Sequence, residues 1–151
     1  MATSFSSPAA LLGAVGTKLG PSEAVTITQD QIDKFAEATL DNQWIHIDAD
    51  RAKDGPFGTP IAHGYLTLSL ASHFLSELVH VHNLSMGINY GIEKARFPAP
   101  VPVDSKLYAT GEILDVKEVP GGVQAITRIT IEREGGDKPC AIVDTVSRYL
   151  S

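Results

Sequence analysis

The most constraining stretch of this 151-residue chain runs from His63 to about His80. Tyr65, Leu66, Leu68, Leu70, Ala71, Phe74, Leu75, Leu78 and Val79 cover nearly the whole circumference of a helix drawn through it. The polar positions among them, Thr67, Ser69, Ser72 and Ser76, are small. At 1.5 Å per residue such a helix is roughly 25 Å long. A helix that is apolar all round is buried. The rest of the chain must therefore supply a wrapping for it. The run falls short of the ~20 consecutive apolar residues of a membrane span.

The sequence that follows reads as that wrapping. Leu84 to Tyr90, Ile92 to Phe97, Lys106 to Val119, Val123 to Arg133 and Cys140 to Leu150 are rich in strand-forming residues. Val123, Ala125, Thr127, Ile129 and Ile131 alternate onto one face. Pro120-Gly121-Gly122 and Gly135-Gly136-Asp137 mark turns, and Pro98 to Val103 reads as an extended connector. Ahead of the helix, residues 1–20 form an arm with a short helix from Pro8 to Val15. A brief strand, Ala24 to Thr28, follows. A capping box of Thr28 and Gln31 then opens a helix from Gln29 to about Thr39, with Ile32, Phe35 and Ala36 on one face. Asp48 is placed to cap a helical turn at Ala49 to Ala52. The plan is α+β, one domain over residues 1–151: an antiparallel curved sheet of about five strands wrapped around one long buried helix, the hot-dog architecture. Such a sheet leaves edge strands open, so a homodimer is expected.

Charge and cysteine usage narrow the function classes. The net charge of -6 disfavours bulk attraction to nucleic acid or to an anionic membrane. An anionic ligand would need a local basic patch. The lone cysteine, Cys140, forms no internal disulfide and suits a reducing compartment; it reads as a small hydrophobe in a strand. The first residues lack the basic start of a signal peptide, so the cytoplasm is the expected location.

The segment from Leu40 to Ile61 has little regular pattern, yet it holds Trp44, Ile45, Ile47, Phe57 and Ile61. That is too apolar for disorder, so it reads as a packed, functional loop. Asp41 and His46 lie five residues apart just past the predicted end of the first helix, and His63 stands at the mouth of the apolar one. A carboxylate can orient and activate water, and an imidazole titrating near neutrality can carry a proton. If Gly64 begins the long helix, its N–H is an unpaired donor at the positive end of the dipole. His73, His80 and His82 have no cysteine or carboxylate cluster at ligand spacing, so no metal is expected.

Two motifs carry a resemblance. Asp41-Asn42-Gln43-Trp44-Ile45-His46 and Gly58-Thr59-Pro60-Ile61-Ala62-His63-Gly64 resemble the hydratase motif of MaoC-type (R)-specific enoyl-CoA hydratases. The Asn-Gln-Trp-Ile-His wording, Asn89-Tyr90-Gly91 and Arg96 to Val101 resemble the NodN-like branch. The resemblance implies reversible hydration of trans-2-enoyl-CoA to (R)-3-hydroxyacyl-CoA in fatty-acid metabolism. Asp41 and His46 are then the catalytic dyad, with either residue removing the proton and the other delivering it. Gly64 is the oxyanion donor, Ser72 a contact near the dyad, and His63 and Asn89 substrate-side or structuring residues. Lys94 and Arg96, with Arg51 and Lys53 behind them, are candidate cations for CoA phosphates, though each read singly is also solvated surface charge. No cofactor is implied, because the acyl-CoA or acyl-carrier-protein thioester is itself the substrate. The motif departs from the common family pattern at Leu40, Gln43 and Trp44. Leu40 replaces a glycine whose positive φ a leucine copies only at a cost, so a different backbone is expected before Asp41. Acyl-CoA thioesterase and non-catalytic acyl-thioester binding are the competing functions.

Overall fold

The computed structural model describes residues 2–151. The arm begins with β1 (Thr3–Phe5) and a 3₁₀ turn at Pro8–Gly13. Pro8 sits at the first position of that turn, and the Ser7 hydroxyl accepts the Ala10 N–H. Two short strands follow, β2 (Lys18–Leu19) and β3 (Val25–Thr26). The helix α1 spans Gln29–Thr39 and carries the expected capping box: Thr28 Oγ1 accepts the Gln31 N–H at 3.2 Å, and Gln31 Oε1 accepts the Thr28 N–H at 3.0 Å. Two single-turn helices come next, α2 (Trp44–Ile47) and α3 (Ala49–Ala52), the latter capped by Asp48 as expected. The long helix α4 is Gly64–Leu78.

The remaining strands are β4 (Val79–Val81), β5 (Met86–Arg96), β6 (Lys106–Val119), β7 (Gly122–Arg133) and β8 (Ala141–Leu150). One antiparallel sheet runs in the order β2-β6-β7-β8-β5, with β3 also on the outer edge of β6. Val123, Ala125, Thr127, Ile129 and Ile131 of β7 are all buried, as their alternation requires. Register slips by one residue in β5 after Asn89 and after Ile92, and in β6 after Ile113. Each is a bulge that bends its strand and curls the sheet. Phe74 and Leu78 of α4 meet Leu107, Ile113, Ile129, Ile131 and Val143 in the core. The architecture is the hot-dog fold.

Four details differ from the sequence reading. The break expected at Gly91 is a bulge inside one continuous strand, because β8 supplies ladder partners on both sides of it. The long helix ends at Leu78 rather than His80, where Val79–Val81 is drawn into a parallel pair with β1. Residues Trp44–Ile47 coil into a helical turn inside the predicted loop. Lastly, α4 buries one face within this chain: Thr67, Ala71, Phe74 and Leu78, spaced by four, three and four. Its other flank carries Leu68, Ser72 and Leu75, which line a groove of about 810 Å³ between the helix and β5.

Candidate active site

The site is assembled where α1 ends and α4 begins. Leu40 closes α1 in the left-handed region, at φ 65 and ψ 22. The expectation of a different backbone before Asp41 is therefore corrected: leucine takes the glycine-like conformation. Its side chain is 82% exposed, so the local cost of that conformation is not offset by burial. The turn sends the chain back across α1, and Asp41 follows at the surface.

His46 is held from three directions. Its own backbone lies in α2, and its carbonyl accepts from Gln29 Nε2 of α1 at 2.8 Å. Its ring Nδ1 donates to the Ile61 carbonyl at 2.7 Å, while the Ile61 N–H donates to the Ile45 carbonyl at 3.0 Å. Residues 60–62 are pinned in turn: the Ala62 N–H reaches the Val101 carbonyl at 2.8 Å, and the Val103 N–H reaches the Pro60 carbonyl at 2.9 Å. A carbonyl oxygen only accepts, so neutral His46 carries its proton on Nδ1 and presents a lone pair at Nε2. Burial pushes the His46 pKa below its ordinary value, and the neighbouring His63 pushes the same way. The bond to Ile61 and the charge of Asp41 oppose the shift without cancelling it. The net result favours a neutral imidazole at neutral pH.

His63 lies flat against His46. The ring centroids are 3.9 Å apart and the planes differ by 23°. His63 is 1% exposed, and its Nε2 donates to the Asp41 backbone carbonyl at 3.0 Å. One polar atom from each of Asp41, His46 and His63 lies within 4.8 Å of the others. Such a trio has the donor types of a metal centre. However, ring lone pairs lie in the ring plane, so near-parallel stacked rings aim them side by side and a single ion does not sit well on both.

Gly64 opens α4 directly after His63, with no side-chain cap on the helix. Its N–H therefore belongs to the unpartnered first turn, at the positive end of the dipole. The ring of Phe97 lies 3.5 Å from where a Cβ on Gly64 would stand. That is ordinary van der Waals distance, so the ring lies over the helix start without requiring a glycine there.

The other predicted residues lie apart from this cluster. Ser72, two turns further along α4, and Asn89 of β5 both line the apolar groove, together with Leu75, Ile92 and Val143. Lys94 and Arg96 are exposed on β5 and flank Ala95. Ala95 packs on the core, so the two cations point to the opposite side of the sheet. Neither is in a salt bridge among the described residues. Arg51 is turned onto the Trp44 ring, 4.4 Å from its centroid, and Lys53 stands exposed after α3. Sequence reasoning passed over Gln29, Phe35 and Ile61, whose contacts orient the two histidines. Gln29 was visible only as the start of a helix, and a backbone carbonyl such as that of Ile61 leaves no residue-type signal.

Comparisons with known proteins identify the family of the chain. The MaoC like domain family matches residues 11–134. The 3-hydroxyacyl-thioester dehydratase Z of Mycobacterium tuberculosis is 46% identical over 148 residues, covering 97% of this chain and 98% of that protein. Nodulation protein N of Rhizobium leguminosarum bv. viciae is 36% identical over 137 residues, covering 88% of this chain and 84% of the relative. Among solved structures, the (R)-hydratase from A. caviae involved in PHA biosynthesis superimposes with a TM-score of 0.71 at 25% identity, covering 88% of this chain and 94% of that one. By sequence and by fold, this chain belongs to the MaoC-like dehydratase family and is a hydro-lyase.

Proposed function

We propose that the chain interconverts an (R)-3-hydroxyacyl thioester with the trans-2-enoyl thioester and water, using Asp41 and His46 as its catalytic dyad. The observation that carries this reading is the state of His46. Its Nδ1 is locked to Ile61, which leaves the lone pair on Nε2, and one ring nitrogen lies within 4.8 Å of an Asp41 carboxylate oxygen, next to the uncapped start of α4.

In hydration, a water held between Asp41 and the His46 Nε2 attacks C3 as its proton is drawn off. A proton is delivered to C2, and the thioester oxygen gathers negative charge between the two events. The Gly64 N–H, at the dipole's positive end, receives that oxygen. A single donor of this kind typically lowers a barrier by ~3 to 4 kcal/mol. Dehydration runs through the same groups in reverse. The names of the relatives support the (R) hand and the thioester. The acyl chain is assigned to the groove along α4, where Ser72 and Asn89 supply its polar contacts. Lys94 and Arg96 are assigned to phosphates of the CoA or acyl-carrier-protein arm. The cytoplasm is the proposed location.

A homodimer belongs to the same reading. The far edge of β5 has no strand beside it among the described residues, and Met86, Tyr90 and Ile92 are exposed along it. The open groove shares that edge. A second copy related by a two-fold axis would extend the sheet and roof the groove.

The test is loss of enoyl absorbance when the protein is mixed with crotonyl-CoA. Asp41→Asn and His46→Gln should each lower kcat/KM by at least ~100-fold with circular dichroism unchanged. Because the His46 pKa is depressed, its neutral form persists on acidification. The acid limb of kcat/KM is therefore expected below 6.5, the ordinary histidine value. Thiol release without hydration would replace this reading with a thioesterase. Hydration that survives both substitutions would move the site elsewhere.

A further inference from the structure

We propose that His63 is a positioning residue for the dyad, fixing the backbone of Asp41 and the ring plane of His46. The inference rests on the dehydratase reading for its catalytic consequence, but its geometry stands by itself. Four elements meet on this one imidazole. Its backbone is the N-cap of α4. Its Nε2 holds the Asp41 carbonyl at 3.0 Å. One ring face lies against His46 at 3.9 Å, and Phe35 of α1 approaches at 4.9 Å, tilted by 55°.

The choice of residue is informative. A helix N-cap is ordinarily Ser, Thr, Asp or Asn, whose side chain occupies the first free N–H groups. His63 makes no such cap. It leaves the Gly64 and Tyr65 N–H groups open, while the Leu66 N–H turns back to the His63 carbonyl at 3.0 Å, and it spends its own ring N–H sideways on Asp41. The cost is visible: Nδ1 is buried without a partner. Burying an acceptor unsatisfied is unfavourable, and such local costs gather at functional sites. The Asp41 carbonyl otherwise belongs to an exposed loop just beyond the strained Leu40. Tying it to the start of α4 sets the distance between the carboxylate and the oxyanion donor. Stacking on His46 sets the direction of the Nε2 lone pair.

The test compares His63→Phe with His63→Gln. Phenylalanine keeps a flat ring between Phe35 and His46 and removes the donor. Glutamine restores an N–H donor and removes the ring. In His63→Phe, kcat on crotonyl-CoA should fall ~100-fold, the usual consequence of a small misplacement, while KM stays within about 3-fold. His63→Gln should recover roughly 10-fold of that loss. A second readout needs no turnover. In imidazole-edited NMR of the wild type, His63 should be protonated on Nε2 and His46 on Nδ1. The Asp41 carbonyl carbon resonance should move in His63→Phe and return toward its wild-type position in His63→Gln. Wild-type kcat in a folded His63→Phe, or an Asp41 carbonyl signal blind to both substitutions, overturns the proposal. A wild type that hydrates no enoyl thioester but shows the carbonyl shift overturns the dehydratase reading and leaves the positioning role intact. Should His63→Phe fail to fold, the wild-type tautomer decides: a His63 ring protonated on Nδ1 instead of Nε2 cannot donate to the Asp41 carbonyl and overturns the proposal.

Discussion

Leu40 shows how a single residue can be expensive and still retained. An L-residue in the left-handed region costs ~1 to 2 kcal/mol, and this one gains nothing from burial. Leu40→Gly should therefore stabilise the fold by ~0.5 to 1 kcal/mol, after allowing for the extra freedom that glycine brings to the unfolded chain. Urea unfolding would show this as a higher midpoint at constant m; a lower midpoint would mean that the leucine side chain makes a contact worth more than its strain. The residue scale is also where the sequence was least readable. Asp41, His46 and His63 could be named from their motif. That two of them stack, and that His63 reaches a backbone oxygen, could not, because ring orientation and side-chain-to-backbone bonds depend on the path of the chain between them.

At the scale of elements, local pattern carried the reading and distant pairing limited it. The capping box at Thr28 and the alternation of β7 are written within a dozen residues each, and both appear as expected. Strand β1 is three residues long and is defined only by its parallel partner β4, far along the chain. The hairpin from β6 to β7 offers a sharp test. Gly121 takes φ 85 at the turn, and beside it a Cβ on Gly122 would overlap the Tyr149 backbone oxygen of β8. The three strands can keep their spacing only if residue 122 has no side chain. Gly122→Ala is expected to cost more than ~3 kcal/mol, among the larger effects of a single substitution. Thermal melts followed by far-ultraviolet circular dichroism would measure it. A shift of a degree or two would mean that the hairpin end can move aside.

For the whole molecule, the open edge and the half-covered helix are one feature seen twice. The sequence demanded burial of α4 on all sides, and a single chain provides it on one. The remaining apolar flank lies beside Ile88 and Ile92 of β5, the strand whose far edge is unpaired among the described residues. A lysine on a strand edge discourages pairing with a second chain. Ile92→Lys is therefore expected to convert a species of twice the chain mass into the monomer by light scattering, and to lower crotonyl-CoA turnover in the same sample. A dimer that survives the substitution would place the interface elsewhere.

Trp44 gives this arrangement an optical consequence. It is the only tryptophan in the chain. It sits two residues before His46 on the same helical turn, with Arg51 over its ring and the Gly55 backbone so close that an added Cβ would stand 3.0 Å from the indole. All indole fluorescence from this protein thus originates beside the loop that carries Asp41 and His46, while the circular dichroism signal is dominated by a sheet built from other residues. Unfolding curves recorded by the two methods separate melting of the loop from melting of the scaffold, with no label attached to either.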